Sequence, residues 1–268
     1  MKIIIILIAI LFILFICFWL YGFNEANDLK VPTKNINDFN NIKKVLIIFP
    51  HPDDEANSLG GTITQFVDKG IEINWIILTK GEKGNDDAHF DDNLKYIRSI
   101  EAQNVAKILG IKKLTLKDYP DNGVDQFKDD LIDDVRQTIK EIDPDLVITY
   151  DESGGYGHPD HIVLSKVATE LINNEFENIH LWYTSTPEKL FKKLSLPEQM
   201  AKDKNFKFSR KSPSFKIWVG ISGVINKVKA VYAYQSQFSS FVKSVPVKQI
   251  PMWFYISLTP YEYFYEVK

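Results

Sequence analysis

Two short clusters in this chain combine histidine with carboxylates: His51-Pro52-Asp53-Asp54-Glu55 and, much later, His158-Pro159-Asp160-His161. Two imidazoles, one carboxylate and an open position held by water describe a catalytic zinc site better than a structural one. His51, Asp54 and His161 make up such a set. Asp53 then remains as a general base. His158 remains as an electrostatic stabiliser or general acid, oriented by Asp160. This division suits hydrolysis of an unactivated carbonyl: the metal lowers the pKa of water, the carboxylate takes its proton, and a cationic imidazole meets the developing oxyanion.

Each cluster also has a bland reading. Asp54 and Glu55 fit the acidic first turn of a helix, where they complement the macrodipole. His158 and His161 fit a glycine-rich turn with two solvated imidazoles, since Gly154, Gly155 and Gly157 precede them. The first bland reading leaves His51 without a role. The second must explain why two of the chain's five histidines fall within four residues.

Chemistry of this kind needs rigid elements behind it. Residues 45–49 and 146–150 are apolar runs ending at the two clusters, as are strands that deliver residues to the carboxyl edge of an open α/β sheet. Residues 73–78, 113–116 and 180–183 read as further buried strands. Residues 57–69, 93–109, 128–142 and 161–173 read as helices, with Gly70 and Gly110 as C-terminal stops. The alternation predicts an α/β, Rossmann-like and mostly parallel sheet with helices on both faces. Residues 187–216, rich in Lys, Ser and Pro, read as an excursion or lid, and 226–238 as a late helix. The aromatic tail, 253–265, reads as an edge strand.

The chain has 268 residues and a net charge of −3, so no basic footprint points to nucleic acid. Cys17 is the only cysteine, which excludes an intrachain disulfide and a cysteine-based metal site. Residues 3–23 carry no charge and are long enough, as one helix, to cross a bilayer. A cleaved signal peptide is the rival reading, but bulky Phe18-Trp19-Leu20-Tyr21 offers no small-x-small cleavage site. The expected organisation is a transmembrane anchor at 1–23, a polar tether at 24–42 and a catalytic domain at 43–268. Lys2 lies before the span and Lys30 and Lys34 after it, so the positive-inside rule leaves the side of the catalytic domain open.

The paired motifs HPDDE and GHPDH, in this strand context, resemble those of the GlcNAc-phosphatidylinositol de-N-acetylase family and its bacterial relatives that act on GlcNAc conjugates. The resemblance covers roughly residues 43–268. It implies zinc-dependent removal of the N-acetyl group from a GlcNAc-containing conjugate, with Fe2+ as another metal of the right kind. It implies His51, Asp54 and His161 as ligands and Asp53 as base, with His158 and Asp160 serving the oxyanion and leaving amine. Tyr156 matches a mobile tyrosine that polarises the amide carbonyl, and Arg98 a residue that binds sugar hydroxyls. The implied partners are an amino-sugar conjugate, lipid-linked or part of an envelope glycan, and the membrane itself through the N-terminal helix. Asp160 stands where eukaryotic lipid de-N-acetylases tend to have Asn, which weakens the phosphatidylinositol substrate. Pro120-Asp121-Asn122-Gly123 departs from the family's shorter Pro-Asp-Gly turn. A membrane-anchored carbohydrate-binding protein without turnover is the alternative, and a two-metal phosphoesterase a third reading.

Overall fold

The computed structural model describes residues 2–84, 93–196, 209–247 and 249–268. Their centre is an eight-stranded sheet in the order β1-β7-β8-β6-β5-β2-β3-β4. The strands are β1 (Thr33–Lys34), β2 (Lys44–Phe49), β3 (Glu72–Thr79), β4 (Lys113–Tyr119), β5 (Leu146–Tyr150), β6 (His180–Thr184), β7 (Phe215–Trp218) and β8 (Tyr261–Glu266). Every pairing is parallel except those of β8 with β6 and β7.

The continuous apolar runs follow from burial on both faces. In β2, Val45, Ile47 and Phe49 join one core while Leu46 and Ile48 join the other. The first core is covered by α3 (Gly60–Asp68), α4 (Leu94–Leu109) and a later helix, α9 (Gly220–Ala233), through side chains such as Ile63, Ala102 and Ala230. The second is covered by α5 (Lys128–Ile142) and α7 (Pro159–Asn174), through Leu131, Val135 and Leu164.

β2 lies between β3 and β5, so the strand order reverses there. Val45, Leu46 and Ile47 register with Leu146, Val147 and Ile148. The loops leaving β2 and β5 therefore emerge side by side, at the switch point where open α/β sheets form a crevice.

Three regions differ from the sequence reading. The helix expected over 57–69 is two helices, α2 (Asp54–Ser58) and α3, broken at Leu59. The break frees the amides of Gly61 and Thr62 to donate to the buried Glu262 carboxylate at 3.0 and 2.7 Å, as helix N-termini favour. The expected edge strand at 253–265 is a short helix, α11 (Met252–Leu258), followed by β8. β8 sits inside the sheet, because Phe264 fills the core and Glu262 caps α3 while also pairing with Lys227 at 2.7 Å. Residues 24–42, expected as a tether, hold edge strand β1 and place Phe39 and Ile42 in the core.

The late helix comes earlier than expected, at α9, and a further short helix, α10 (Phe238–Ser244), follows it. Of the stretch read as a lid, Glu188–Phe191 forms helix α8 and its end is β7, while 197–208 lies outside the described residues. The N-terminal helix, α1 (Lys2–Ala26), has no buried residue and is long and apolar enough to cross a membrane.

Candidate metal centre

The first loop begins where β2 ends. The His51 amide donates to Asp54 Oδ2 at 2.9 Å, which folds the loop back on itself. Asp53, between them, has φ of 107°, a left-handed backbone that a non-glycine residue holds only when its surroundings enforce it. Those surroundings are visible. The Asp53 amide donates to Glu55 Oε2 at 3.2 Å, and buried Glu55 accepts from the Tyr234 hydroxyl at 2.8 Å. Arg98 on α4 donates to Pro52 O and Gly81 O and lies 3.4 Å from Asp53 Oδ2.

The second loop holds a short helical turn, α6 (Gly154–Gly157), bent by glycines. Gly154, Gly155 and Gly157 have φ of 65°, 71° and 94°, and a Cβ on Gly154 would sit 2.9 Å from the His161 Cβ. Asp151 gathers the turn, accepting from the amides of Ser153 and Gly155 at 3.0 and 3.2 Å. His158 is the N-cap of α7, its Nδ1 accepting from the Asp160 amide at 3.2 Å, and Pro159 opens the helix. His161 thus lies in the first turn, facing the first loop.

The two loops converge. His51 Nδ1 is 3.0 Å from His161 Nε2 and 3.6 Å from Asp54 Oδ2, and His161 Nε2 is 3.5 Å from Asp54 Oδ1. The far side of each imidazole is already engaged. His51 Nε2 lies 3.2 Å from Asp121 Oδ1 and 3.2 Å from Asp160 Oδ2, and His161 Nδ1 is 3.1 Å from Gly154 O. With protons placed on those outer nitrogens, two imidazole lone pairs and a carboxylate face one another with no donor between them. A divalent cation fits that donor set. Around it, Asp53, Asp54, Asp121 and Asp160 outnumber the one nearby guanidinium, so positive charge is also what the pocket's electrostatics lack.

The protonation tendencies agree. Burial opposes charge on His51, but its hydrogen bonds to the carboxylates of Asp121, Asp160 and Asp54 outweigh it and hold its pKa well above the ordinary value. Burial pushes His161 down to about 3 and His158 down to about 4, so both are neutral at physiological pH. Burial raises Asp54 less than the neighbouring His161 and His51 lower it, leaving it below the usual carboxylate range. Burial lifts Asp53 to about 7, against the opposing charge of Arg98.

The remaining expected residues are placed as follows. The Asp160 carboxylate, expected to orient His158, instead meets His51 and accepts from the Asn122 and Val124 amides at 2.8 and 3.2 Å. The physical reason is the N-cap: its geometry gives His158 the Asp160 amide, while the side chain points across to the other loop. Tyr156 is half-buried, with its ring 5.0 Å from that of His161 and 6.2 Å from that of His158. Arg98 is only 3% exposed, and its contacts are backbone carbonyls and Asp53.

Two neighbours had no site role in the sequence reading, although Asp121 was noted there as part of a turn. Asp121 follows β4, a third strand ending at the same edge, and the strand-end rule applied there would have found it. Tyr150 donates to Asp54 Oδ1 at 2.9 Å, and its ring stacks on His161 at 4.3 Å; as the last residue of an apolar run it carried no signal. The ring nitrogens of His51, His158 and His161 also lie within 4.8 Å of one another, as do ligand atoms of His51, Asp121, His158 and Asp160. A cavity of about 210 Å³ shares Tyr150 and Tyr156 with this cluster and runs to Met252, Tyr255 and Ile256 on α11. None of the three imidazoles lines it.

Residues 46–172 match the family described as PIG-L: GlcNAc-PI de-N-acetylase. The chain is 35% identical over 145 residues to the diacetylchitobiose deacetylase of Thermococcus kodakarensis, covering 52% of this chain and 54% of that one. It is 33% identical over 144 residues to a probable N-acetyl-alpha-D-glucosaminyl L-malate deacetylase 2 of Bacillus anthracis, covering 52% and 63%. The chain thus spans between about half and two thirds of the length of these curated relatives. Among solved structures, the N,N'-diacetylchitobiose deacetylase of Pyrococcus horikoshii superimposes with a TM-score of 0.61 over 87% of this chain and 86% of that one, at 23% identity.

Proposed function

We propose, from the match of residues 46–172 to the PIG-L family, that the chain is a metal-dependent N-deacetylase acting on a GlcNAc-containing conjugate. One observation carries the reading: His51 Nδ1, His161 Nε2 and the Asp54 carboxylate lie within 3.0–3.6 Å of one another while each imidazole's other nitrogen is held elsewhere. These three would hold the cation. Zinc suits two imidazoles and one carboxylate, and Fe2+ accepts the same set. A cation there supplies Lewis acidity, which makes water a nucleophile at neutral pH and polarises the amide carbonyl.

The other roles belong to the chain's own side chains. Asp53 accepts the proton of the attacking water; its raised pKa suits a base working near neutrality. It later delivers that proton to the departing amine, as its position beside the ligands allows. His158 keeps Nε2 free because its Nδ1 accepts from the Asp160 amide, so a neutral ring donates Nε2–H to the developing oxyanion. Tyr156 adds a second donor from its glycine-flanked turn, a role supported by its ring lying 5.0 Å from that of His161. Asp160 and Asp121 fix the His51 ring and keep its proton on Nε2. Arg98 is assigned to Asp53, holding the strained loop and tempering the carboxylate's pKa, rather than to sugar hydroxyls. The cavity beside Tyr156 would take the remainder of the conjugate. We assign α1 as a membrane anchor on its length and apolar composition.

The test is acetate release from a panel of GlcNAc conjugates by the purified full chain, with metal content measured in parallel. Chelation should abolish release and added zinc restore it. A protein that binds these sugars yet releases no acetate with any divalent metal would overturn the assignment.

A further inference from the structure

If α1 crosses a bilayer, its contacts with the domain fix where the domain sits. A hydrocarbon core of about 30 Å takes about 20 helical residues at ~1.5 Å each. The uncharged stretch of α1, residues 3–23, is scarcely longer, so Phe15 and Phe18 must lie inside the hydrocarbon. Both touch α11. The Phe254 ring is 6.0 Å from Phe15 and 6.0 Å from Phe18, nearly parallel to the latter.

The contact continues up α1. A Cβ on Gly22 would lie 2.9 Å from Leu258 Cδ1, so glycine is what lets the helices meet there. Asn27 Nδ2 then bridges Phe23 O and Leu258 O, both at 2.7 Å. The end of α11 bearing Phe254 therefore lies roughly 8–12 Å further along α1 than Phe23, taking ~1.5 Å per residue. Interfacial helices bury to a similar depth, about 5–10 Å.

The exposed side chains match that placement. Trp253, beside Phe254, is 52% exposed. Trp218 is 46% exposed and packs on Tyr261, which in turn leans on Phe23 at the anchor's end. Large aromatics at that level are what a membrane interface selects.

We propose that α11 is a lipid-embedded wedge, so that the domain is seated in the bilayer through exposed Trp253, with Phe254 packed against α1, rather than suspended from α1. The occupant of this apolar surface is the same bilayer that holds the anchor. The opposite face of α11, through Met252, Tyr255 and Ile256, walls the cavity beside the catalytic cluster. Seating α11 in lipid thus sets the depth at which that cavity lies. The proposal rests on the reading of α1 as a span, and not on the deacetylase assignment.

The test uses the full chain in vesicles of phosphatidylcholine and phosphatidylglycerol. With Cys17→Ser as background, nitroxides are attached to Trp253→Cys, Phe12→Cys and Tyr96→Cys, one at a time. The labels at 253 and 12 should collide with oxygen in preference to a water-soluble nickel chelate, and the label at 96 the reverse. A far-ultraviolet circular dichroism spectrum and melting transition matching those of the Cys17→Ser background check that the Trp253→Cys protein folds. A label at 253 that behaves like the one at 96, while 12 reports hydrocarbon, overturns the wedge and leaves the anchor. A label at 12 that reports water removes both. A label at 253 shielded from both reagents indicates cover by another copy of the chain and also overturns the proposal. As a second measurement, Phe18→Cys with Phe254→Cys should be joined in these vesicles by a short thiol-specific bifunctional crosslinker; its failure to join them counts against the docking of α11 on α1. None of the spectroscopic readouts depends on turnover, so they stand apart from the catalytic assignment.

Discussion

In the loop after β2, His-Pro-Asp is followed by a second aspartate; in the loop after β5, it is followed by a histidine. The shared tripeptide ends up doing different things. His51 presents Nδ1 to the pocket and gives Nε2 to carboxylates, whereas His158 accepts a backbone proton on Nδ1 and keeps Nε2 free. Asp53 stays beside His51 and Asp54 with a fifth of its side chain exposed (22%), while Asp160 is fully buried and crosses to brace the other loop's histidine. The strain is distributed differently as well. Asp53 itself adopts a left-handed backbone in the first loop, while glycines take that conformation in the second. A local motif therefore fixes which atoms are available, and the neighbouring loop fixes what they do.

Ligand removal tests this contrast most sharply. His161→Ala should lose the metal and acetate release together, whereas His158→Ala should keep the metal and lose rate. Metal analysis of the two purified proteins decides it, and equal metal loss would show that His158 belongs to the coordination set. Next in size, Asp53→Asn should retain metal and lower kcat by about 10²–10⁴, the usual worth of a positioned base. Near-normal turnover would remove Asp53 from that role.

Asp160→Asn measures the brace between the loops. It should weaken metal affinity by about 10–100-fold, as loss of a carboxylate behind a ligating histidine does. The same change should leave the His158 contribution to kcat intact. Competition with a fluorescent chelator reads the first effect, and a double variant with His158→Ala the second. Tyr150→Phe deletes the 2.9 Å bond to Asp54 and should reduce metal affinity by about tenfold.

The smallest effect concerns pH. Burial raises Asp53 to about 7 in the metal-free protein, and the Arg98 charge opposes that rise. A base must be ionised to act, so activity should climb with pH through the Asp53 pKa. A bound cation stabilises the carboxylate, so this limb falls below about 7 in the metal-loaded enzyme. Arg98→Met removes a charge that lowers the pKa and should move the limb to higher pH. A limb unmoved by this change would separate Arg98 from Asp53.

Much of this architecture could be read from local pattern. The apolar runs ending at Phe49 and Tyr150 gave two strands and the positions of both clusters, because strands buried on both faces need uninterrupted apolar residues. The pattern over 161–173 gave the body of α7, which the structure starts two residues earlier at Pro159. Glu262 did not announce itself, since its purpose is to hold the amides that a helix break at Leu59 exposes. The tail misled for the same reason. Its alternating aromatics describe a strand, but not that the strand lies between β6 and β7.

The types of the candidate ligands, their position at strand ends and the apolar length of α1 were set by the sequence alone, because periodicity and turn chemistry act over a few residues. The tertiary structure decided that β2 lies beside β5, that Asp160 and Asp121 share the outer nitrogen of His51, and that α11 packs along α1. Those facts depend on pairing between segments far apart in the chain, and no local preference of His, Asp or Phe specifies a distant partner.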